Sequence, residues 1–449
     1  MLRRRSVLGA ASVAAGSPLL LLAGCGGGSD DLPIPIPASA SALHFPTDLY
    51  LHLGAPTEWW WHTGTLKAGS RVFGFEINAA SFKKDGLGFT QVSLSDVANN
   101  KHYQSTVPYF PPLMYDPDHW AQADTTKDWT VKLGDVDNRL STIVVTSGGT
   151  GYTSAPKVEI TGGGGGILAA ATAAINPATG SVAAIVLISP GTGFTSVPTI
   201  TLTGGGGTGA TAKAVHSYVT MQAPATDPTK NMAIKALISD EATGTVVNFD
   251  LNMSQQGPKL IVWGTGVLEQ PGTSPPLLRN NYYYSLTHLQ STGSISIGTE
   301  KINVSGVTWM DHEYGAFGSA ANPVKWILQA MQLDNGARIH NYTVAEPALN
   351  KRSAGECTVM EADGTIYLVP SFVTPVGRTW KSPQSGRTYF MELFVEIPAF
   401  DATFTVKSLM DSQEFPTQGA PVYEGVASTV GTFKGVSASG TAWNEQALG

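Results

Sequence analysis

Cysteine is nearly absent from this chain of 449 residues: there are two, Cys25 and Cys357. Cys25 directly follows an N-terminal leader and reads as a lipid anchor, so the body of the protein is expected to have no internal disulfide and to depend on packing for its stability. Charge is sparse as well, at 14% of residues with a formal net charge of -7. That balance offers no basic surface for nucleic acid. No long segment carries an apolar stripe of helical period, and no run approaches the roughly twenty strongly apolar residues of a membrane-spanning helix. The usual catalytic signatures are missing too. There is no G-x-S-x-G elbow, Gly435-Val436-Ser437-Ala438-Ser439 being a near miss, and no H-E-x-x-H or cysteine pair. The glycine runs at 162–166 and 204–207 lack the Lys-Ser/Thr of a phosphate loop. No cofactor is expected, and a zinc site assembled from His62, His312, His340 and Glu313 has no support from spacing.

What is present begins at the N-terminus. Arg3, Arg4 and Arg5 precede Ser6-Val7-Leu8, a weakly apolar stretch interrupted by Pro18 follows to Leu22, and Leu22-Ala23-Gly24-Cys25 closes the segment. Paired arginines followed by a short apolar region read as a twin-arginine export signal, and small residues before a cysteine read as a lipoprotein cleavage site. Residues 1–24 are thus expected to be removed, Cys25 acylated, and the protein held at a membrane facing the periplasm or exterior. Residues 25–43, rich in Gly, Ser, Asp and Pro, read as a tether.

The remaining 425 residues, 449 less 24, exceed what one core usually supports. With 50 Gly and 28 Pro the composition suits an all-β protein. Val72–Ile77, Phe89–Leu94, Ile295–Val304, Trp326–Leu333 and Thr403–Val406 read as strands separated by Gly, Asn and Asp. Many such strands bearing aromatics imply antiparallel barrels or curled sandwiches whose interior holds an apolar ligand. The expected division is 44–240 and 241–449. The first half contains an internal repeat: Gly149-Thr150-Gly151-Tyr152 returns as Gly191-Thr192-Gly193-Phe194, and Tyr152 to Phe194 and Pro156 to Pro198 are both 42 residues apart. With few charges and no catalytic cluster, residues 138–217 read as an inserted β module, a spacer or a surface that contacts another surface.

Glu58-Trp59-Trp60-Trp61-His62-Thr63-Gly64, Tyr283-Tyr284-Ser285, Trp309-Met310-Asp311-His312-Glu313-Tyr314-Gly315 and Tyr423-Glu424-Gly425 resemble the lipocalin-like family of AttH and the carotenoid 1,2-hydratases. The likeness runs from about residue 45 to 445, omitting the repeat, and is closer to the AttH-type lipoproteins and predicted secreted hydrolases. It implies two lipocalin-like antiparallel β domains side by side. It also implies that Asp311, two positions after the aromatic Trp309, is a proton donor.

The residues can be read beside that resemblance. Alternation places Glu58, Trp60 and His62 on one face of a strand and Trp59 and Trp61 on the other. It likewise sets Trp309, Asp311 and Glu313 opposite Met310 and His312. An Asp among aromatics is desolvated, so it holds a proton near neutral pH, and Trp309 and Tyr284 can stabilise a carbocation. On this reading Asp311, Glu58, His62 and Glu313 are catalytic. Trp60, Tyr284, His288, Trp309, His312 and His340 line the ligand site, and the ligand is a lipophilic, unsaturated small molecule that is hydrated. The competing reading makes Asp311, His312 and Glu313 a buried polar brace between two barrels, with Arg338 or His340 as partners. A non-catalytic carrier and a secreted hydrolase are the other functional classes. Carrier and enzyme differ in whether Glu58, His62, Asp311 and Glu313 converge on an open apolar cavity.

Overall fold

The computed structural model describes residues 33–83, 87–109, 120–134, 139–140, 142–194, 196–215, 217–317, 325–344, 351–416 and 421–448. The signal and Cys25 lie outside the described residues. Almost everything described is antiparallel sheet, as the lack of helical periodicity required. The first sheet comprises β1 (Thr57–Ala68), β2 (Arg71–Phe82), β3 (Leu87–Asp96), β4 (Lys101–Tyr109) and β5 (Trp129–Gly134). After the insert it continues with β12 (Tyr218–Ala223), β13 (Met232–Ser239), β14 (Val246–Gln255), the short β15 (Leu260–Ile261) and β16 (Val267–Leu268), β17 (Asn281–Ile297) and β18 (Glu300–Gly315). Its order is β4-β3-β2-β1-β18-β17-β14-β13-β12-β5, curled into a half-barrel.

The second sheet runs from β19 (Trp326–Leu333) and β20 (Arg338–Val344) through β21 (Ser353–Met360), β22 (Ile366–Lys381), β23 (Thr388–Ile397) and β24 (Ala402–Ser408). It ends with the short β25 (Glu414–Phe415), β26 (Val422–Phe433) and β27 (Val436–Ala447). Pairing of β24 with β26 closes eight of these strands into a barrel. Closure removes the exposed edges that an open sheet would carry.

Three expectations are corrected. The boundary at 240/241 falls inside the first sheet, because β14, β17 and β18 hydrogen-bond into it and β18 pairs with β1. Ile295–Val304 is a hairpin, since β17 ends at Ile297 and Gly298, at φ 58°, turns the chain into β18. The tether is docked from residue 36 onward: Ile36 bridges Ile366, and Leu43 is buried in the first core. That core also fills the half-barrel, with Trp60, Phe73, Phe75 and Phe249 at 0% exposure. Packing of this density leaves no ligand chamber of the lipocalin kind around these side chains.

The insert consists of β6 (Thr142–Thr150), β7 (Lys157–Thr161), β8 (Ile167–Asn176), β9 (Ser181–Thr192), β10 (Thr199–Thr203) and β11 (Thr208–Val215). These strands pair only with each other, β6 with β11, β7 with β10 and β8 with β9. The two repeats therefore meet about a local pseudo-dyad. Their glycines make room for the repeated aromatic: a Cβ on Gly166 would stand 2.1 Å from the Phe194 ring, and one on Gly207 2.4 Å from that of Tyr152.

The barrels press together through β1, β2, β17 and β18 on one side and β19, β20, β26 and β27 on the other. Gly74 is needed at this seam, because its Cβ would lie 2.4 Å from Val426. Gln332 Nε2 donates to the carbonyls of Thr287 and Thr308, and Arg338 donates to that of Thr287.

Candidate active site

Strands β1, β18 and β17 are neighbours, and their register aligns Trp60 with His312 and Tyr284, and Trp61 with Asp311 and Ser285. Side chains alternate across a sheet, so these two rows face opposite ways. Glu58, Trp60, His62, Tyr284 and His312 enter the half-barrel. Asp311, Glu313, Trp309 and Tyr283 face the second barrel. The four expected catalytic residues are therefore divided by the thickness of a sheet.

On the inner face, His62 is wholly buried with neither ring nitrogen hydrogen-bonded. Desolvation takes its pKa down to about 3, which makes it a neutral core residue. Glu58 and His312 do interact, Nε2 to Oε1 at 3.0 Å, and the His312 ring is stacked on Trp60 at 4.3 Å. His312 Nδ1 lies 3.1 Å from the Asp48 carbonyl oxygen and 3.0 Å from the Tyr284 hydroxyl. His52, which the sequence reading did not single out, joins this group: Nδ1 is 2.9 Å from Glu58 Oε1 and Nε2 is 3.1 Å from Asp48 Oδ1. Burial pushes the Glu58 carboxyl up, but hydrogen bonds from His312 and His52 outweigh it and hold the group below its ordinary value.

On the outer face, the Ser285 hydroxyl donates to Asp311 Oδ1 at 2.5 Å and the Trp309 indole N–H donates to the same oxygen at 2.7 Å. Tyr283 also bonds the carboxyl, and His340 Nε2 lies 3.1 Å from the Tyr283 hydroxyl. Desolvation nonetheless prevails over these donors and raises Asp311 from 3.8 to about 6. The residue is half-buried, as are Trp61, Tyr342 and Glu445, within surroundings that are otherwise closed. These four partly exposed side chains show where the seam between the barrels is reached by solvent, and this opening of the seam is termed the crevice. Trp309, Tyr283 and Trp326 pack, buried, behind it.

The seam around it is rich in acid, most of it buried. Glu313, bonded by Asn281, is raised well above its usual value by burial and then by the charges of Asp311 and Glu445. Glu445 accepts from Trp326 Nε1 at 2.6 Å and Glu424 from Trp443 Nε1 at 2.7 Å. Glu76, on β2, has no hydrogen-bond partner for either oxygen. Burial raises all three of these carboxyls, and no Lys or Arg contributes to the shift of any of the five acids. Carboxyls so placed favour their protonated, hydrogen-donating form. Glu76 and Glu445 were missed because each sits in an ordinary alternating strand. Glu424 was visible in a quoted motif but had no local signal of chemistry.

The remaining expected residues separate as follows. His340 reaches Asp311 through Tyr283, whereas Arg338 is committed to backbone carbonyls and to His288, whose Nδ1 is 3.3 Å away. His62 and His312 lie on the inner face, and His340 and Glu313 on the outer, so that quartet forms no metal site. Among the described residues, the donors that do gather are His52, Glu58 and His312, whose ligand atoms lie within 4.8 Å of one another.

Comparison with known proteins agrees with this architecture. A family model described as AttH-like matches residues 183–445. The crystal structure of a putative AttH from Nitrosomonas europaea is 18% identical, with a TM-score of 0.55 over 92% of this chain and 99% of that one. Kievitone hydratase from Nectria haematococca is 12% identical, also with a TM-score of 0.55, over 94% of this chain and 98% of its own. No curated protein sequence matches the chain significantly.

Proposed function

The chain belongs to the AttH-like family, and from that membership and the inter-barrel crevice we propose that it adds water to a lipophilic, unsaturated molecule of isoprenoid character by acid catalysis. The observation that carries this reading is Asp311, a half-buried carboxyl raised to about 6 by desolvation beside Trp309 and Tyr283. Such a group holds its proton up to about pH 6, well above an ordinary carboxyl, and still carries a donatable fraction of it near neutrality. The hydroxyl of Asp311 gives its proton to the less substituted alkene carbon, and the π electrons form the new C–H bond. The tertiary cation that remains is stabilised by aromatic faces and by the Asp311 carboxylate left by the transfer. Water adds to the cation and its surplus proton returns to the Asp311 carboxylate, so the net change is addition of one water. The fold shared with a hydratase from Nectria haematococca supports a hydration chemistry. The densely packed half-barrel favours this reading over a carrier that would hold its ligand inside a barrel.

The leader motifs support delivery of this activity to the cell envelope, with Cys25 as the lipid anchor. A pH–rate profile tests the acid role. With Asp311 as proton donor, kcat/KM on a turned-over isoprenoid falls as pH rises above about 6, and Asp311→Asn loses turnover while retaining substrate binding. A flat profile, or full activity in Asp311→Asn, removes Asp311 from the role.

A further inference from the structure

We propose that His52, Glu58 and His312 form a binding site for one divalent transition-metal ion of the zinc class, separate from the crevice and on the opposite face of the sheet. The three ligands come from different places in the fold: His52 from the segment before β1, Glu58 from β1 and His312 from β18. Their donor atoms all lie within 4.8 Å of one another. A tetrahedral ion with bonds of about 2.1 Å holds its donors about 3.4 Å apart. The cluster is thus close to the required dimensions without a metal.

The hydrogen-bond roles supply the second argument. His312 Nδ1 faces the Asp48 carbonyl oxygen at 3.1 Å, an atom that can only accept. In the tautomer protonated on Nδ1, which the Asp48 carbonyl and the Tyr284 hydroxyl 3.0 Å away can both accept from, Nε2 turns its lone pair toward Glu58 Oε1, 3.0 Å away, as a metal ligand would. His52 points its two nitrogens at carboxylate oxygens of Glu58 and Asp48, at 2.9 and 3.1 Å. A single divalent ion between His312 Nε2, Glu58 Oε1 and His52 Nδ1 would take the lone pairs of both rings in their neutral form together with the carboxylate. Donation from the far nitrogen of a histidine to a backbone carbonyl is also the usual outer support of a metal ligand.

Two imidazoles and one carboxylate suit zinc-class ions rather than calcium or magnesium, which favour all-oxygen sites. A small surface pocket lined by His52, Glu58, Ser81, Lys83 and Trp120 opens beside the cluster and offers the fourth position to water. By tying His52 to β1 and β18, the ion would fasten the segment before β1 onto the half-barrel.

The test uses untagged, chelator-stripped full-length protein, titrated with ZnCl2 by calorimetry and with CoCl2 by visible absorption. The expected result is one tight equivalent, a cobalt spectrum of tetrahedral intensity, and a melting temperature raised by the metal. In His52→Ala, on a loop and therefore able to fold, and in Glu58→Gln, the affinity should drop at least tenfold. Zinc binding of equal strength in wild type and His52→Ala, or no binding to the folded wild type, overturns the proposal and leaves a hydrogen-bonded network only. Since Asp311 lies on the other face, loss of hydratase activity in Asp311→Asn bears on the crevice alone.

Discussion

Asparagine at position 311 distinguishes a proton-donating carboxyl from a structural one, because the two predict stability changes of opposite sign. Asp311 has its pKa raised from 3.8 to about 6 by burial. The folded state thus binds this proton more tightly than the unfolded chain. Its contribution is fully present below about pH 3.8 and is lost as pH rises through about 6. The loss amounts to about 3 kcal/mol, at about 1.4 kcal/mol for each tenfold difference in proton affinity. Asparagine keeps an oxygen to accept from Ser285 and Trp309 but carries no charge. Asp311→Asn should therefore melt close to wild type at pH 4 and above it at pH 8, by a few degrees for each kcal/mol recovered. Thermal melts at both pH values in one buffer series measure this directly. A lower melting temperature at pH 8, in the range of about 3–5 kcal/mol expected for breaking a buried ion pair, would refute the desolvated-acid argument. It would establish the carboxylate as a brace instead.

Further outcomes follow from other parts of the chain. Replacing residues 142–215 with a short Gly-Ser linker should preserve a cooperative melt, because β6–β11 pair only among themselves around their own core; loss of that transition would make the insert part of the fold. Gly74→Ala should reduce activity more than it alters secondary structure, since its Cβ would meet Val426 and wedge the barrels apart; circular dichroism beside a turnover assay checks this. Cys357 is buried at 0% exposure with its thiol pushed far up by desolvation, so a thiol reagent should modify it only after unfolding. For targeting, Cys25→Ser should release the protein from membranes, and Arg4→Lys with Arg5→Lys should block its export, as read by fractionation.

Period-two alternation made the face sets legible. Glu58, Trp60 and His62 do share one face of β1, and Trp309, Asp311 and Glu313 share one face of β18. Alternation cannot say which set points into a barrel and which toward a second domain. That depended on β18 pairing with β1, which brings His312 to Glu58 across 254 positions. The same long-range pairing carried the first sheet past residue 240. His52 had no pattern to reveal it, being a loop residue whose role is set by Asp48, Glu58 and His312. Glu76 and Glu445 look like ordinary strand positions until two barrels are placed face to face. The 42-residue repeat, by contrast, is fully local, so its spacing can be read from the sequence without any long-range pairing.

The account rests on proton donation from Asp311, and isotope incorporation measures that event most directly. Wild-type protein and Asp311→Asn would be incubated in D2O with a panel of unsaturated isoprenoids, and the products analysed by mass spectrometry. The account predicts a hydrated product from the wild type bearing one deuterium on the carbon next to the new hydroxyl-bearing carbon, and essentially none from Asp311→Asn. A hydrated, deuterated product formed equally by both proteins would contradict it, as would a wild type inactive across the whole panel.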